Sequence, residues 1–153
     1  MADDSTRQEH NSPFSPLTIG LFHAAGIVES HLEGVLSEAG LSIPKLTVLH
    51  HLVQNGEPMS LSHLAERCSC VRSNMTQLID RLEAEGLVRR SQDARDRRSI
   101  QASITERGQE LYHSGARSMR EAEAAILGQW TAEQRELLHE LLHRCSLEAA
   151  SGR

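Results

Sequence analysis

Arg81-Leu82-Glu83-Ala84-Glu85-Gly86-Leu87-Val88-Arg89-Arg90-Ser91, continued by Gln92-Asp93-Ala94-Arg95-Asp96-Arg97-Arg98 and then Ser99-Ile100-Gln101-Ala102-Ser103-Ile104, is the stretch that decides the fold. Up to Glu85 the apolar residues recur at helical spacing, and Gly86 stops the helix. Beyond it the period shortens. Segments 87–91 and 99–104 partly alternate and read as the two strands of a β-hairpin, with the charged run 92–98 at its tip.

Working back from Gly86, a helix over 71–85 carries Met75, Leu78, Ile79 and Leu82 on one side. Before it, Ser60 caps a short helix with Leu61, Leu64 and Ala65, and a polar break around Ser69 separates the two. Ser42 caps a further helix that tolerates Pro44 in its first turn, carries Leu46, Leu49, Leu52 and Val53, and ends at Asn55-Gly56. Three helices followed by a hairpin over 42–104 have the order of a winged helix-turn-helix. The expected fold is mainly α with a small β-hairpin wing.

Long helices flank this module. Residues 16–39 hold Leu17, Leu21, Ala24, Val28, Leu32, Val35 and Leu36 at helical spacing before Gly40. Thr105 caps a helix with Leu111, Gly115, Met119, Ala122 and Ile126, and Thr131 with Gln134 forms a capping box for a last one with Leu137, Leu138, Leu141, Leu142 and Cys145. Their stripes have no sheet or second core to cover them. Burial against a second copy gains about 25 cal/mol per Å² of apolar surface, so a homodimer is expected. The division is then a disordered tail 1–13, a dimerisation helix 14–40, the reading module 41–104 and dimerisation helices 105–150.

The 153 residues, 39% apolar, suffice for one ordinary domain core and leave no room for a second catalytic domain. No stretch is greasy enough to span a membrane, and the acidic, polar start is unlike a signal peptide. Cys68, Cys70 and Cys145 are too few and too uneven for a disulfide framework. These features point to a cytoplasmic protein with reduced thiols, and nothing in the sequence asks for a cofactor.

A formal net charge of −5 argues against a nucleic-acid partner until its distribution is followed. Residues 1–66 carry −6, residues 101–153 carry −2, and residues 67–100, with eight arginines against five acids, carry +3. Screening acts over about 8 Å at physiological salt, so a local basic patch can hold phosphates on an acidic protein. An aromatic content of 3% disfavours RNA or single strands, whose bases stack on rings. Double-stranded DNA is the expected nucleic-acid partner, and a protein–protein adaptor that never meets DNA is the rival, set apart by no steep loss of duplex binding as salt rises.

On the helix over 71–85, Ser73, Thr76 and Gln77 lie opposite the apolar side, with Asn74 and Arg81 on the flank and Arg72 at the N-terminal end. An ordinary surface helix favours Glu and Lys; this one offers short donors and acceptors suited to base edges in the major groove. Gln77 or Asn74 can grip adenine at two points, Arg72 or Arg81 can reach guanine or phosphate, and Arg89 can contact the backbone. At the tip, Arg95, Arg97 and Arg98 repel one another unless Asp93 and Asp96 pair with some and leave others free. A free arginine there fits a narrow minor groove.

Residues 41–112 resemble the MarR family of transcriptional regulators. The resemblance lies in Leu-Ser-Ile-Pro-Lys-Leu-Thr-Val-Leu at 41–49, Leu-Ala-Glu-Arg at 64–67, Asp-Arg-Leu-Glu-Ala-Glu-Gly-Leu-Val at 80–88, Asp-Ala-Arg-Asp-Arg-Arg at 93–98 and Ile-Thr-Glu-Arg-Gly at 104–108. It implies a triangular dimer, a recognition helix at 71–85, a wing at 93–98, palindromic promoter sites, and repression relieved by a small ligand or an oxidant. It also implies Arg95 in the minor groove, with Asp93 and Arg98 bracing the wing. One departure stands out: Val71 replaces the hydroxyl residue that usually begins the recognition helix, so its cap must come from Ser69, a backbone group or a DNA phosphate.

Other signals have plainer readings. His139-Glu140-Leu141-Leu142-His143 matches the zinc-peptidase pattern H-E-x-x-H, but a catalytic zinc needs a third protein ligand and a walled cleft. Only ten residues follow His143, and both histidines lie opposite the apolar stripe, so no enzyme is expected. Cys68 and Cys70 sit just before the recognition helix, where an oxidised or metal-bound thiol could move the reading surface; packing is the simpler reading, since free cysteine is among the most buried residue types. The other histidines are scattered, and no ligand-pocket residue can be singled out.

Overall fold

In a computed structural model, which describes residues 13–92 and 99–151, the chain forms six helices and a small sheet. They are α1 (Pro16–Glu38), α2 (Ile43–Asn55), β1 (Met59–Ser60), α3 (Leu61–Arg67), α4 (Arg72–Ala84), β2 (Val88–Gln92), β3 (Ile100–Ile104), α5 (Glu106–Leu127) and α6 (Ala132–Ser151). Mainly α with a hairpin is the architecture read from the sequence. The hairpin pairs in register from Val88 with Ile104 to Gln92 with Ile100.

Side-chain caps start most of the helices. Ser15, Ser42, Ser60 and Thr105 accept hydrogen bonds from the amides of Thr18, Lys45, His63 and Gly108. Thr131 and Gln134 cap each other reciprocally: the Thr131 amide donates to Gln134 Oε1, and the Gln134 amide to Thr131 Oγ1. Gly56 and Gly86 take left-handed φ values of 71° and 73° where α2 and α4 stop.

Leu36, Val48, Leu49, Leu52, Leu64, Met75, Ile79, Leu82 and Leu87 form a fully buried centre to which α1, α2, α3, α4 and the start of the hairpin all contribute. Thr105 ties the hairpin to α4, its hydroxyl donating to the Gly86 carbonyl at 2.8 Å while its amide donates to Leu87 O. Gly108 sits so close behind this knot that an added Cβ would run into the Leu87 carbonyl oxygen.

The structure adds two features to this outline. The hairpin is part of a three-stranded sheet, because β1 adds to β3 through Met59 with Ala102 and Ser60 with Gln101; two residues are too few to show alternation. Part of the α5 stripe is covered within the chain. Gly108, Gly115 and Ala122 are buried within the chain, and Gly115 fits against Leu41, Leu46 and Leu36. The first half of α1 and all of α6 do remain uncovered: Leu17, Phe22, Ile27, Leu137, Leu141 and Leu147 are exposed, and α6 buries nothing. No helix among the described residues is long and apolar enough to cross a membrane.

Candidate nucleic-acid interface

The candidate interface is built on α4. Met75, Ile79 and Leu82 are completely buried, which presses one side of the helix onto the core and fixes its roll. Arg72, Ser73, Asn74, Thr76, Gln77 and Arg81 are consequently all exposed, as the wheel predicts. The Thr76 hydroxyl donates to the Arg72 carbonyl at 3.1 Å, so toward an outside partner it offers its lone pairs.

The helix starts without a side-chain cap. Val71 holds the N-cap position with 62% of its surface exposed. Ser69, one of the three sources considered for the cap, turns away with φ at 51° and donates its amide to Glu66 O. The Asn74 amide donates to Val71 O, and the Arg72 and Ser73 amides are thus left for water or an anion such as a phosphate.

Strand β2 supplies a feature that the sequence reading passed over. Arg89 is exposed, with no side-chain partner among the described residues. Its neighbour Arg90 turns to the opposite face and is tied back to α4. Arg90 Nη2 lies 2.6 Å from the Asp80 carboxylate and donates to the Thr76 carbonyl at 3.0 Å, while the Arg90 amide donates to Glu83 Oε1 at 3.0 Å. The Nε of Arg90 is buried without a hydrogen bond, 3.7 Å from Glu83. The period of two along a strand was the available signal: of two adjacent arginines, only one can face outward. A second tie, Lys45 Nζ to Glu85 at 2.6 Å, holds the end of α4 to the start of α2. Asp93, Arg95, Asp96, Arg97 and Arg98 lie outside the described residues.

Cys68 and Cys70 are half-buried, free of disulfides and packed on the core, as their sequence context suggested. Burial and the neighbouring Cys70 push the Cys68 thiol up, against a smaller opposing pull from the Arg67 cation. Cys145 is exposed on α6. His139 and His143 are also exposed there, their rings stacked 6.3 Å apart, and the described residues contain no group of three His, Cys, Asp or Glu able to hold a metal ion. Between the end of α1, the end of α4 and α5 lies a cleft of about 590 Å³, lined in part by Glu85, Arg107, Glu110 and Ser114. Nearby, α2 and α5 are joined by His50 Nδ1 and the Tyr112 hydroxyl at 2.9 Å.

Comparison with known proteins agrees with this geometry. The homoprotocatechuate degradative operon repressor of Escherichia coli is 30% identical over 126 residues, covering 82% of this chain and 84% of that one. The HTH-type transcriptional regulator FarR of Neisseria gonorrhoeae is 27% identical over 90% of both chains. Among solved structures, NadR in complex with 4-hydroxyphenylacetate is 26% identical with a TM-score of 0.65, over 88% of this chain and 95% of that one. A cysteine-to-serine mutant of Escherichia coli MarR, solved with operator DNA, has a TM-score of 0.76 over 85% of this chain and 93% of that one; at 19% identity it shows the fold alone. The MarR family profile matches residues 41–100. With a winged helix-turn-helix, a family match over residues 41–100 and relatives that are transcriptional repressors, the chain belongs to the MarR family of DNA-binding transcriptional regulators.

Proposed function

We propose that the protein is a cytoplasmic homodimeric repressor that binds palindromic promoter sites and releases them when a small ligand or an oxidant acts on it. The observation that carries this reading is the division of α4 into a fully buried apolar side and an exposed side of Arg72, Ser73, Asn74, Thr76, Gln77 and Arg81. Two copies would present two such helices to successive major grooves, about 34 Å apart, with Arg89 on the backbone and Arg95 and Arg97 of the wings in flanking minor grooves, braced by Asp93, Asp96 and Arg98. Residues 14–40 and 105–150 form the dimerisation region and 41–104 the reading module. The bare apolar residues of α1 and α6 support the first assignment.

The 4-hydroxyphenylacetate held by NadR makes an aromatic acid the first effector to try. The test is sedimentation of the protein alone, with duplexes from its own promoter region, across a salt series. A dimer whose preferred duplex is bound with affinity falling steeply as salt rises is the expected result. A monomer indifferent to sequence would overturn the reading.

A further inference from the structure

Two thiols share a cleft behind the recognition helix. Cys68 caps the end of α3, Cys70 follows after Ser69, and the positive φ of Ser69 folds this short turn back on itself. Both cysteines pack against the core and line a cleft of about 590 Å³, to which Met75 adds a thioether. Its outer wall is made by Asn74, Gln77 and Arg81, three residues of the reading face. A soft metal ion binds thiols by displacing their protons. Sulfur ligands select soft ions such as copper(I), and two thiolates suffice for an ion that accepts two-coordination.

We propose that Cys68 and Cys70 form a binding site for one monovalent thiophilic cation of the copper(I) class, and that its occupation loosens the grip of α4 on DNA. On binding, the two thiols release two protons and the cation joins two thiolates, so the sulfur pair with its cation carries a net charge of −1. That charge lies beside Arg81 and draws it away from a phosphate, while it repels the phosphates themselves. The effect on DNA rests on the recognition-helix reading above; the metal site does not.

The test uses the full-length protein with Cys145→Ser, which leaves only the pair. Copper(I) is offered as its bicinchoninate complex, and its transfer to the protein is followed by loss of colour. One equivalent per chain should move, and both Cys68→Val, which keeps the packing, and Cys70→Ser should weaken capture at least a hundredfold. Duplex binding by anisotropy should weaken at least fivefold on copper(I) loading of the Cys145→Ser protein and stay constant for the Cys68→Val/Cys145→Ser protein. Capture unaffected by either change overturns the site. Capture without any change in duplex affinity overturns the coupling. Failure of the metal-free protein to bind any duplex would count against the recognition-helix reading and leave the capture result standing.

Discussion

The guanidinium of Arg90 on strand β2 lies 2.6 Å from the carboxylate of Asp80 on α4, joining the root of the hairpin to that helix. With the Thr76 carbonyl and Glu83 as further partners, one side chain sets the distance between α4 and β2.

Replacing Arg90 by Ala should therefore do two things. The pair is only partly shielded, with Asp80 54% exposed, so the ion pair itself contributes no more than about 1 kcal/mol. Urea unfolding of Arg90→Ala, Asp80→Asn and the double variant should give a coupling of about 0.5–1 kcal/mol. Duplex affinity should fall for Arg90→Ala although Arg90 turns onto α4, opposite to the exposed Arg89. A coupling of zero would mean that the tie holds nothing.

Gly108 and Gly115 offer a contrast in what a single methyl costs. At Gly108 the obstacle is the Leu87 carbonyl, backbone already held by Thr105; at Gly115 it is the Leu41 Cδ1 atom at 2.5 Å, the far end of a side chain that can rotate. Gly108→Ala should destabilise by about 2–4 kcal/mol and Gly115→Ala by about 1–2 kcal/mol, in line with overpacking elsewhere. The reverse order in thermal unfolding would show that the hairpin end yields more readily than the core.

Much of this fold was legible because its signals are local. Ser42, Ser60, Thr105 and the Thr131–Gln134 pair each cap the helix that the periodicity predicts, and Gly86 marks the change from helical to strand spacing. The exposed face of α4 was legible for the same reason: once Met75, Ile79 and Leu82 go inward, geometry places the rest. What escaped was non-local. Strand β1 exists only because β3 is there to pair with it, and Arg90 is recognisable as a brace only once Asp80 and Glu83 stand across from it. The inward packing of Gly115 likewise depends on Leu36, Leu41 and Leu46, which come from two other segments of the chain.

Val71 is an unused opportunity for stability. It occupies an exposed N-cap without capping, and a serine there could accept a hydrogen bond from the first turn of α4. Val71→Ser should stabilise the protein by about 0.5–2 kcal/mol. Val71→Asp should gain at least as much from the helix dipole while weakening duplex binding, because its charge meets the phosphates. Equal duplex affinity for the wild type and both variants would place the start of α4 away from the DNA backbone.

His51 makes stability sensitive to mild acid. Its pKa is held below the ordinary histidine value by partial burial first, then by the Arg67 cation and by His50, with a smaller push from His63 and an opposing hydrogen bond to the Arg67 backbone. The unfolded chain binds a proton there more readily than the folded one, so the contribution is complete above the ordinary pKa of about 6.5 and is lost as pH falls through the lower folded value. The urea midpoint should drop between pH 7.5 and 5.5, and drop less for His51→Gln. An identical drop in both proteins would assign the acid sensitivity to other groups.

The division of labour across the interface predicts three different signatures from three substitutions. Gln77 is exposed in the middle of the polar side of α4, where an amide can contact a base edge at two points. Gln77→Ala should change the preferred bases in a selection from randomised duplexes, with a loss of about 1–3 kcal/mol on the best wild-type site. Arg89, exposed on β2 with no side-chain partner among the described residues, suits a phosphate; Arg89→Ala should weaken all duplexes alike and reduce the salt slope by about one. Arg95, which the sequence assigns to the wing, should on replacement by Ala cost about 1–3 kcal/mol, most where the flanking minor groove is narrow. Identical sequence logos for the wild type and Gln77→Ala would remove Gln77 from the readers, and an unchanged affinity for Arg95→Ala would remove the wing from the groove. The three measurements fail independently, because base readout, charge neutralisation and groove width respond to different properties of the same duplex.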